Sequence, residues 1–199
     1  MIILQLLIVL GGAALLACIA CLVALHLLPT SYLPVQDPVS NYAVSRYGYL
    51  YQIQAFSSGI CAACLLAWLV SFLPSSPTVG LIGLAAYALS RMLIIFFPTD
   101  VKPPMTWKGA IHVILATTSF TGVAVAVGSL TKTLIGVPGW ASATLLLRIA
   151  QTLTDACAVG FAAVILIAPF RRVQGLVERG IYLGALTWLG TVFMILLGS

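Results

Sequence analysis

Charged side chains are scarce in this sequence. Of its 199 residues, nine are Lys or Arg and four are Asp or Glu, about 7% together, whereas 62% are apolar. An ordinary globular chain carries roughly a quarter charged residues, so this chain has too little polar surface to cover a water-soluble domain of its size. Together with a mean hydropathy of +1.16, this composition indicates an integral membrane protein.

Dense basic clusters are also missing. The nine Lys and Arg side chains give a net charge of +5, but they are spread thinly over the ends of several loops. Binding to a phosphate backbone needs a concentrated basic patch. We therefore expect no nucleic-acid partner.

Histidine is nearly absent, which limits metal chemistry. The chain has only His26 and His112, too few for a His-rich zinc site, although a carboxylate-rich site stays open.

Two Cys-x-x-Cys pairs, at positions 18/21 and 61/64, lie in Ala-rich apolar segments, where small residues favour close helix packing. The sequence also lacks an Asp-Asp-x-x-Asp run that could hold Mg²⁺ and a diphosphate. We expect no metal and no cofactor.

Long apolar runs make up most of the chain. Each is about 20 residues or longer, the length needed to cross a bilayer as a helix, and they cover residues 2–28, 49–72, 79–97, 109–131, 140–168 and 176–197. Turn-forming segments separate them, among them 74–77 and 136–139. The sequence predicts an all-α integral membrane protein, with residues 1–199 forming one domain of six transmembrane helices.

The loop charges predict the orientation, because Lys and Arg favour the cytoplasmic side of short loops. Those in or beside loops one, three and five are Arg46, Lys102, Lys108, Arg171, Arg172 and Arg179. The opposite side has only Lys132. We expect a multi-pass protein of the cell membrane with its odd-numbered loops in the cytoplasm and both termini outside.

Four ionisable residues are expected to meet where the odd-numbered loops lie, here called the odd-loop end. Asp37 lies in loop one, Asp100 in loop three, His112 one turn into span four, and Arg91 about two turns inside span three. Each aspartate alone is also explained as a helix cap or turn former, and Arg91 by snorkelling to the interface. Ionisable groups near hydrocarbon are costly and usually mark function, so their joint occurrence predicts a functional site.

Polar side chains also follow one face of span five. Arg148, Gln151, Thr152 and Asp155 are spaced at i, i+3, i+4 and i+7, which places them on one side of a helix. A similar set in span two runs from Gln54 through Ser57 and Ser58 to Cys61. Such stripes form hydrogen bonds between helices or line a polar cavity, and we expect Asp155 to line the interior.

Aromatic side chains are frequent near the odd-loop end. They are Tyr32, Tyr42, Tyr47, Tyr49, Tyr51, Phe96, Phe97 and Trp107. An interfacial aromatic belt explains them. Alternatively, aromatic faces stabilise cations, and a carboxylic acid kept neutral in an apolar site can donate a proton. In that case Asp37 or Asp100 could protonate an alkene.

Four motifs resemble the six-span bacterial and archaeal membrane family known as domain of unknown function 998. They are Asp37-Pro38-Val39-Ser40-Asn41-Tyr42, Phe97-Pro98-Thr99-Asp100, Gly109-Ala110-Ile111-His112 and Val177-Glu178-Arg179. The resemblance implies that six residues belong to the family pattern, namely Asp37, Ser40, Asp100, His112, Glu178 and Arg179. It implies no activity.

In span count and in its two loop Asp motifs, the chain is also similar to the membrane-bound terpene cyclases of bacterial indole-terpenoid pathways. This similarity implies an isoprenoid substrate. We therefore expect an enzyme that cyclises or isomerises a hydrophobic isoprenoid or lipid by protonation, with Asp37, Asp100 and His112 as catalytic residues. The expected binding or supporting residues are Ser40, Tyr42, Arg91, Phe96, Phe97, Trp107, Arg148, Asp155, Glu178 and Arg179.

A second class of function stays open. The chain could be a non-catalytic transporter or lipid-binding bundle in which the stripe from Arg148 to Asp155 forms the pathway and the loop aspartates cap helices. Intramembrane charges are common in transporters. The oligomeric state is not predicted.

Overall fold

The computed structural model describes residues 2–72 and 77–198. Its six long helices are α1 (Ile2–Leu27), α2 (Gly48–Phe72), α3 (Thr78–Leu93), α4 (Trp107–Leu134), α5 (Thr144–Leu166) and α6 (Gln174–Gly198). The turn predicted at 74–77 between spans two and three lies largely outside the described residues. Within the described ranges the fold contains no β-strand.

All six predicted spans are confirmed as helices that are long and apolar enough to cross a membrane. The protein is a multi-pass helical membrane protein. Two of the boundary differences have local causes. Helix α3 ends at Leu93 and continues as a 3₁₀ turn, Ile94–Phe96, because the following Pro98 disfavours helical geometry at the residue before it. Helix α4 begins at Trp107, because the Thr106 side chain accepts a hydrogen bond from the Gly109 N–H and caps it.

The helices form a closed bundle in which each packs on the next. Consecutive helices pack as hairpins, most tightly in the pairs α1/α2, α3/α4 and α5/α6, and α6 closes the bundle by contacting α1 and α4. Helix α5 packs mainly on α6 and only lightly on α4. Among the spans, α6 and α2 are the most buried, whereas α1 and α5 are the least.

Two glycines bring α3 and α4 into backbone contact. A Cβ placed on Gly122 would lie 2.7 Å from the Gly83 carbonyl oxygen, and a Cβ on Gly83 would lie 2.7 Å from the Gly122 oxygen. Small residues at such crossings allow helices to approach closely. Because the surrounding lipid is as apolar as the side chains, the van der Waals contacts made by this close approach drive the packing of the helices.

Replacing Gly122 with alanine should therefore destabilise the bundle, although alanine has the better helix propensity. Overpacking of this kind costs about 1–3 kcal/mol. The matched control is Gly128→Ala on the same helix, where the nearest atoms to an added Cβ are 3.8 Å away. Thermal unfolding in detergent should show a lower midpoint for Gly122→Ala only, and equal midpoints for the two variants would refute the close crossing.

Candidate functional site

A cavity of about 320 Å³ opens at the odd-loop end, between α4, α5, α6 and loops one and three. Its walls are formed by Pro38, Ser40, Asn41, Thr99, Asp100, Val101, His112, Val113, Ala116, Thr117, Phe120, Phe161, Ile165, Gln174 and Glu178. Apart from Thr117, the polar members come from the loops and the helix ends, whereas most of the apolar ones lie deeper on α4 and α5. The cavity thus joins a polar mouth to an apolar floor.

His112 is buried in the wall of this cavity, with 2% of its surface exposed. Its Nδ1 lies 2.7 Å from the carbonyl oxygen of Phe97. The other ring nitrogen, Nε2, is buried and has no hydrogen-bond partner among the described residues. The segment before α4 therefore fixes the ring, and Nε2 is left without a partner.

Glu178 lies on α6, and its side chain is 4% exposed. Its Oε2 accepts a hydrogen bond of 3.0 Å from the backbone N–H of Val39 in loop one. Within the described chain, no hydrogen bond occupies Oε1. The carboxyl group both holds loop one against α6 and presents an oxygen near the cavity.

Asp100 also lines the cavity, but its carboxylate caps the start of α4. The Thr106 N–H donates to Oδ2 at 2.6 Å, and the Thr106 hydroxyl donates to Oδ1 at 3.2 Å. A Cβ on Gly109 would overlap this carboxylate, so the glycine in the third family motif makes room for the cap.

Asp37 does not line the cavity. Its Oδ2 accepts the N–H of Leu33 at 2.7 Å, and its Oδ1 accepts the Asn41 side-chain amide at 3.3 Å. Both oxygens thus stabilise the turn of loop one. Ser40 and Asn41, three and four residues further along the chain, line the cavity instead.

Arg179 holds the same loop from α6. Its guanidinium donates to the carbonyl oxygens of Asp37 and Gly175, at 2.8 and 2.9 Å, and to His26 Nε2 at 2.7 Å. His26 Nδ1 in turn lies 2.7 Å from the Leu22 carbonyl oxygen. The basic residue of the fourth motif therefore joins loop one, α1 and α6.

Arg91 lies inside the bundle and is 1% exposed, so the alternative that it snorkels to the interface is wrong. It donates to Ser58 Oγ at 2.9 Å and to Gln54 Oε1 at 2.7 Å. Its guanidinium carbon lies 5.3 Å from the centre of the Tyr182 ring. The polar stripe of span two thus forms hydrogen bonds between helices. The groups that Arg91 contacts, on Ser58, Gln54 and Tyr182, are neutral.

The expectation that the stripe on span five forms hydrogen bonds between helices or lines a cavity is wrong for Arg148 and Thr152. Arg148 and Thr152 are exposed on the outside of the bundle. Asp155 is half-buried, and its Oδ2 lies 3.4 Å from the side-chain amide nitrogen of Gln151. Its two carboxylate oxygens lie 3.8 and 3.9 Å from the position that a Cβ would occupy on Gly128 of α4. The inward face of α5 carries Thr154 and Phe161 instead. Helical spacing in the sequence shows which residues share a face, but it does not show which face packs inward.

The aromatic residues of the cavity differ from the predicted ones. Phe120 makes edge-to-face contacts with Phe161 and Tyr182, at centroid distances of 4.9 and 5.9 Å, and both phenylalanines line the cavity. No sequence signal distinguishes them from other apolar residues of their spans. The predicted Phe96 and Trp107 are about two-thirds exposed, as in an interfacial belt.

Two more predicted residues serve the surroundings of the site. Tyr42 is buried against the rings of His26 and Tyr32, and Phe97 contributes its carbonyl oxygen to His112. Neither side chain lines the cavity. In residues 2–72 and 77–198, no group of three His, Cys, Asp or Glu side chains is placed to hold a metal ion.

The likeness to known sequences extends over most of the chain and includes the four motifs around this site. A family model described as "Protein of unknown function (DUF998)" matches residues 12–195. The chain belongs to this family. No curated protein and no solved structure matches the chain.

The contact between Gly109 and Asp100 can be tested by a double-mutant cycle. Asp100→Ala should cost about 0.5–2 kcal/mol, because it removes a helix cap. Gly109→Ala should destabilise the wild-type protein, since the new methyl group displaces the carboxylate. In the Asp100→Ala background the same change should be neutral or stabilising. Unfolding midpoints in detergent give all four values, and additive effects would contradict the contact.

Proposed function

We propose that this protein is a membrane-embedded enzyme that transfers protons to and from a hydrophobic isoprenoid or lipid substrate in the odd-loop cavity. The observation that supports the proposal most is that Glu178, Asp100 and His112 line one cavity, and that His112 Nε2 has no hydrogen-bond partner among the described residues. Paired titratable groups with different surroundings are typical of acid–base catalysis. The cavity floor is apolar, which suits a substrate drawn from the bilayer.

Glu178 is the proposed general acid. Both carboxylate oxygens of Asp37 and of Asp100 accept hydrogen bonds from their own loops, whereas Glu178 uses only Oε2 in this way. In this proposal the Glu178 carboxyl group replaces Asp37 as the proton donor. Asp100 acts from the cavity wall by holding the segment that carries His112.

The proposed reaction is an isomerisation or cyclisation that is balanced in atoms and electrons. The Glu178 carboxyl group donates its proton to one carbon of an alkene. The two π electrons of that double bond form the new C–H bond, and its other carbon becomes a carbocation. A second alkene of the substrate closes a ring by attacking that cation, or the cation stays acyclic. His112 Nε2 then removes a proton to form the product alkene, and the enzyme returns to its starting state when this proton reaches Glu178. The rings of Phe120 and Phe161 support this chemistry, because aromatic faces stabilise cations.

A transport pathway along span five receives less support. It needs a polar route through the interior, whereas Arg148 and Thr152 lie on the outer surface of the bundle. Asp155 reaches only the edge of α4. The enzyme is therefore the function that the geometry favours.

Deuterium incorporation tests the proposed chemistry directly. The purified protein in nanodiscs is incubated in D₂O with a panel of polyprenyl alkenes and alcohols, and the products are analysed by mass spectrometry. Glu178→Gln keeps an oxygen for the Val39 N–H, and His112→Asn keeps a donor for the Phe97 carbonyl. Both should fold but lose about 100- to 10,000-fold of the rate of deuterium uptake, the usual range for general acid–base catalysis.

The matched control is Asp37→Asn, which should retain the wild-type rate because Asp37 lies outside the cavity. Failure of the wild-type protein to incorporate deuterium into any substrate of the panel would contradict the proposal. Full activity of both Glu178→Gln and His112→Asn would contradict it as well.

We further propose that the protein lies in the cell membrane with the cavity mouth on the cytoplasmic side. The support is the excess of Lys and Arg in the odd-numbered loops. A reporter that works only outside the cell should be active when it is fused after Ser199. A reporter that works only in the cytoplasm should be inactive at the same position. Cytoplasmic reporter activity at this position would overturn the orientation.

A further inference from the structure

A second pocket at the odd-loop end lies between the segment that follows α1 and the segment that precedes α2. Its volume is about 340 Å³, and its lining residues come from positions 29–32 and 45–47, none of which lines the odd-loop cavity. Helix α1 ends at Leu27 and α2 begins at Gly48. This pocket, here called the Arg46 pocket, therefore lies where two transmembrane helices leave the hydrocarbon.

Arg46 supplies the charge of the pocket. Its side chain is exposed, and its guanidinium carbon lies 4.6 Å from the centre of the Tyr47 ring. Because Tyr47 is also a lining residue, this contact places the guanidinium at the pocket wall. Within residues 2–72 and 77–198, the guanidinium makes no hydrogen bond and no ion pair. A guanidinium has five N–H donors, so Arg46 can bind an acceptor from outside the chain.

The other wall of the pocket holds further unused donors. Thr30, Ser31 and Tyr32 each carry a hydroxyl group, and these hydroxyl groups make no hydrogen bond with another described residue. The backbone N–H groups of the same three residues are also without a partner in the described chain. Donors from residues 30–32 are thus available beside the positive charge of Arg46.

The charge and the position of the pocket together indicate the ligand. None of the described lining residues is Asp or Glu, so an anion meets no like charge there. Phosphate groups suit such a site, because arginine binds them with two parallel N–H donors and neutral donors complete the contact. In a bilayer the phosphate groups of the lipids lie in the headgroup region, just outside the hydrocarbon core. The Arg46 pocket lies at this level.

The surroundings of the pocket favour a lipid without an amine. Leu33 and Val44, which adjoin its two lining stretches in the chain, are 56% and 48% exposed and offer apolar surface to an acyl chain. An amine in the headgroup would bring a second positive charge close to Arg46. A lipid with a phosphate and an uncharged headgroup alcohol avoids this repulsion.

We propose that the Arg46 pocket binds the phosphate group of an anionic phospholipid of the phosphatidylglycerol type. Arg46 is the principal ligand of the phosphate, and residues 30–32 supply additional hydroxyl and N–H donors. This binding site is separate from the odd-loop cavity, so the inference does not depend on the proposed reaction.

Lipid binding to the detergent-solubilised protein, measured by native mass spectrometry, tests this proposal. The probes are dioleoyl phosphatidylglycerol, dioleoyl phosphatidylcholine and sn-glycerol 1-phosphate, which has a phosphate but no acyl chains. The wild-type protein should bind phosphatidylglycerol at least about tenfold more tightly than phosphatidylcholine, because only the former adds a net negative charge to the site. It should also bind phosphatidylglycerol at least about tenfold more tightly than glycerol phosphate.

Arg46→Gln should lower the affinity for phosphatidylglycerol at least about tenfold, to a value close to that for phosphatidylcholine. The matched control is Arg172→Gln, which removes another exposed arginine at the odd-loop end, in loop five. This control should bind both lipids like the wild-type protein.

Equal affinity of the wild-type protein for the two lipids would overturn the proposal without any variant. An equal loss in Arg46→Gln and Arg172→Gln would also overturn it, because it would show a general attraction of anionic lipids to the basic end. Glycerol phosphate binding as tightly as phosphatidylglycerol would indicate a site for free phosphate and would contradict the lipid. None of these outcomes depends on deuterium incorporation, so this inference and the proposed function fail separately.

Discussion

The hydrogen bond from the Val39 N–H to Glu178 is the contact on which the arrangement of the odd-loop end depends. It joins the start of the 3₁₀ segment Val39–Val44 in loop one to the second turn of α6. A polar group buried in a membrane protein without a hydrogen-bond partner is costly, because the hydrocarbon offers no water to bind. Glu178 provides such a partner for loop one, and the same contact places its carboxyl group beside the cavity.

Other contacts at this end extend the same principle. Arg179 binds the Asp37 carbonyl from one residue further along α6, and the Leu176 N–H donates to the Val35 carbonyl. Asp100 caps α4. These bonds use most of the polar atoms that the family motifs supply. His112 Nε2 is one of the buried polar atoms that have no hydrogen-bond partner among the described residues.

The helices could be predicted from the sequence because their signal is local. A run of about 20 apolar residues has few alternatives to a transmembrane helix, and alternation of direction places Asp37, Asp100 and His112 at one end. The rotation of each helix could not be predicted. It is set by packing partners, such as Gly83 against Gly122, which lie far apart in the chain. For this reason the exposure of Arg148 and Thr152 could not be predicted, and Phe120 and Phe161 were not recognised as cavity residues.

The central claim is the proposal that Glu178 and His112 line one cavity in which Glu178 protonates a hydrophobic substrate. An experimental structure in nanodiscs that contain a polyprenyl alkene tests it most directly. We expect ligand density in this cavity, with a double bond of the ligand beside the Glu178 carboxyl group. A structure in which the Glu178 carboxyl group points away from the cavity, or in which the alkene binds elsewhere, would contradict the claim.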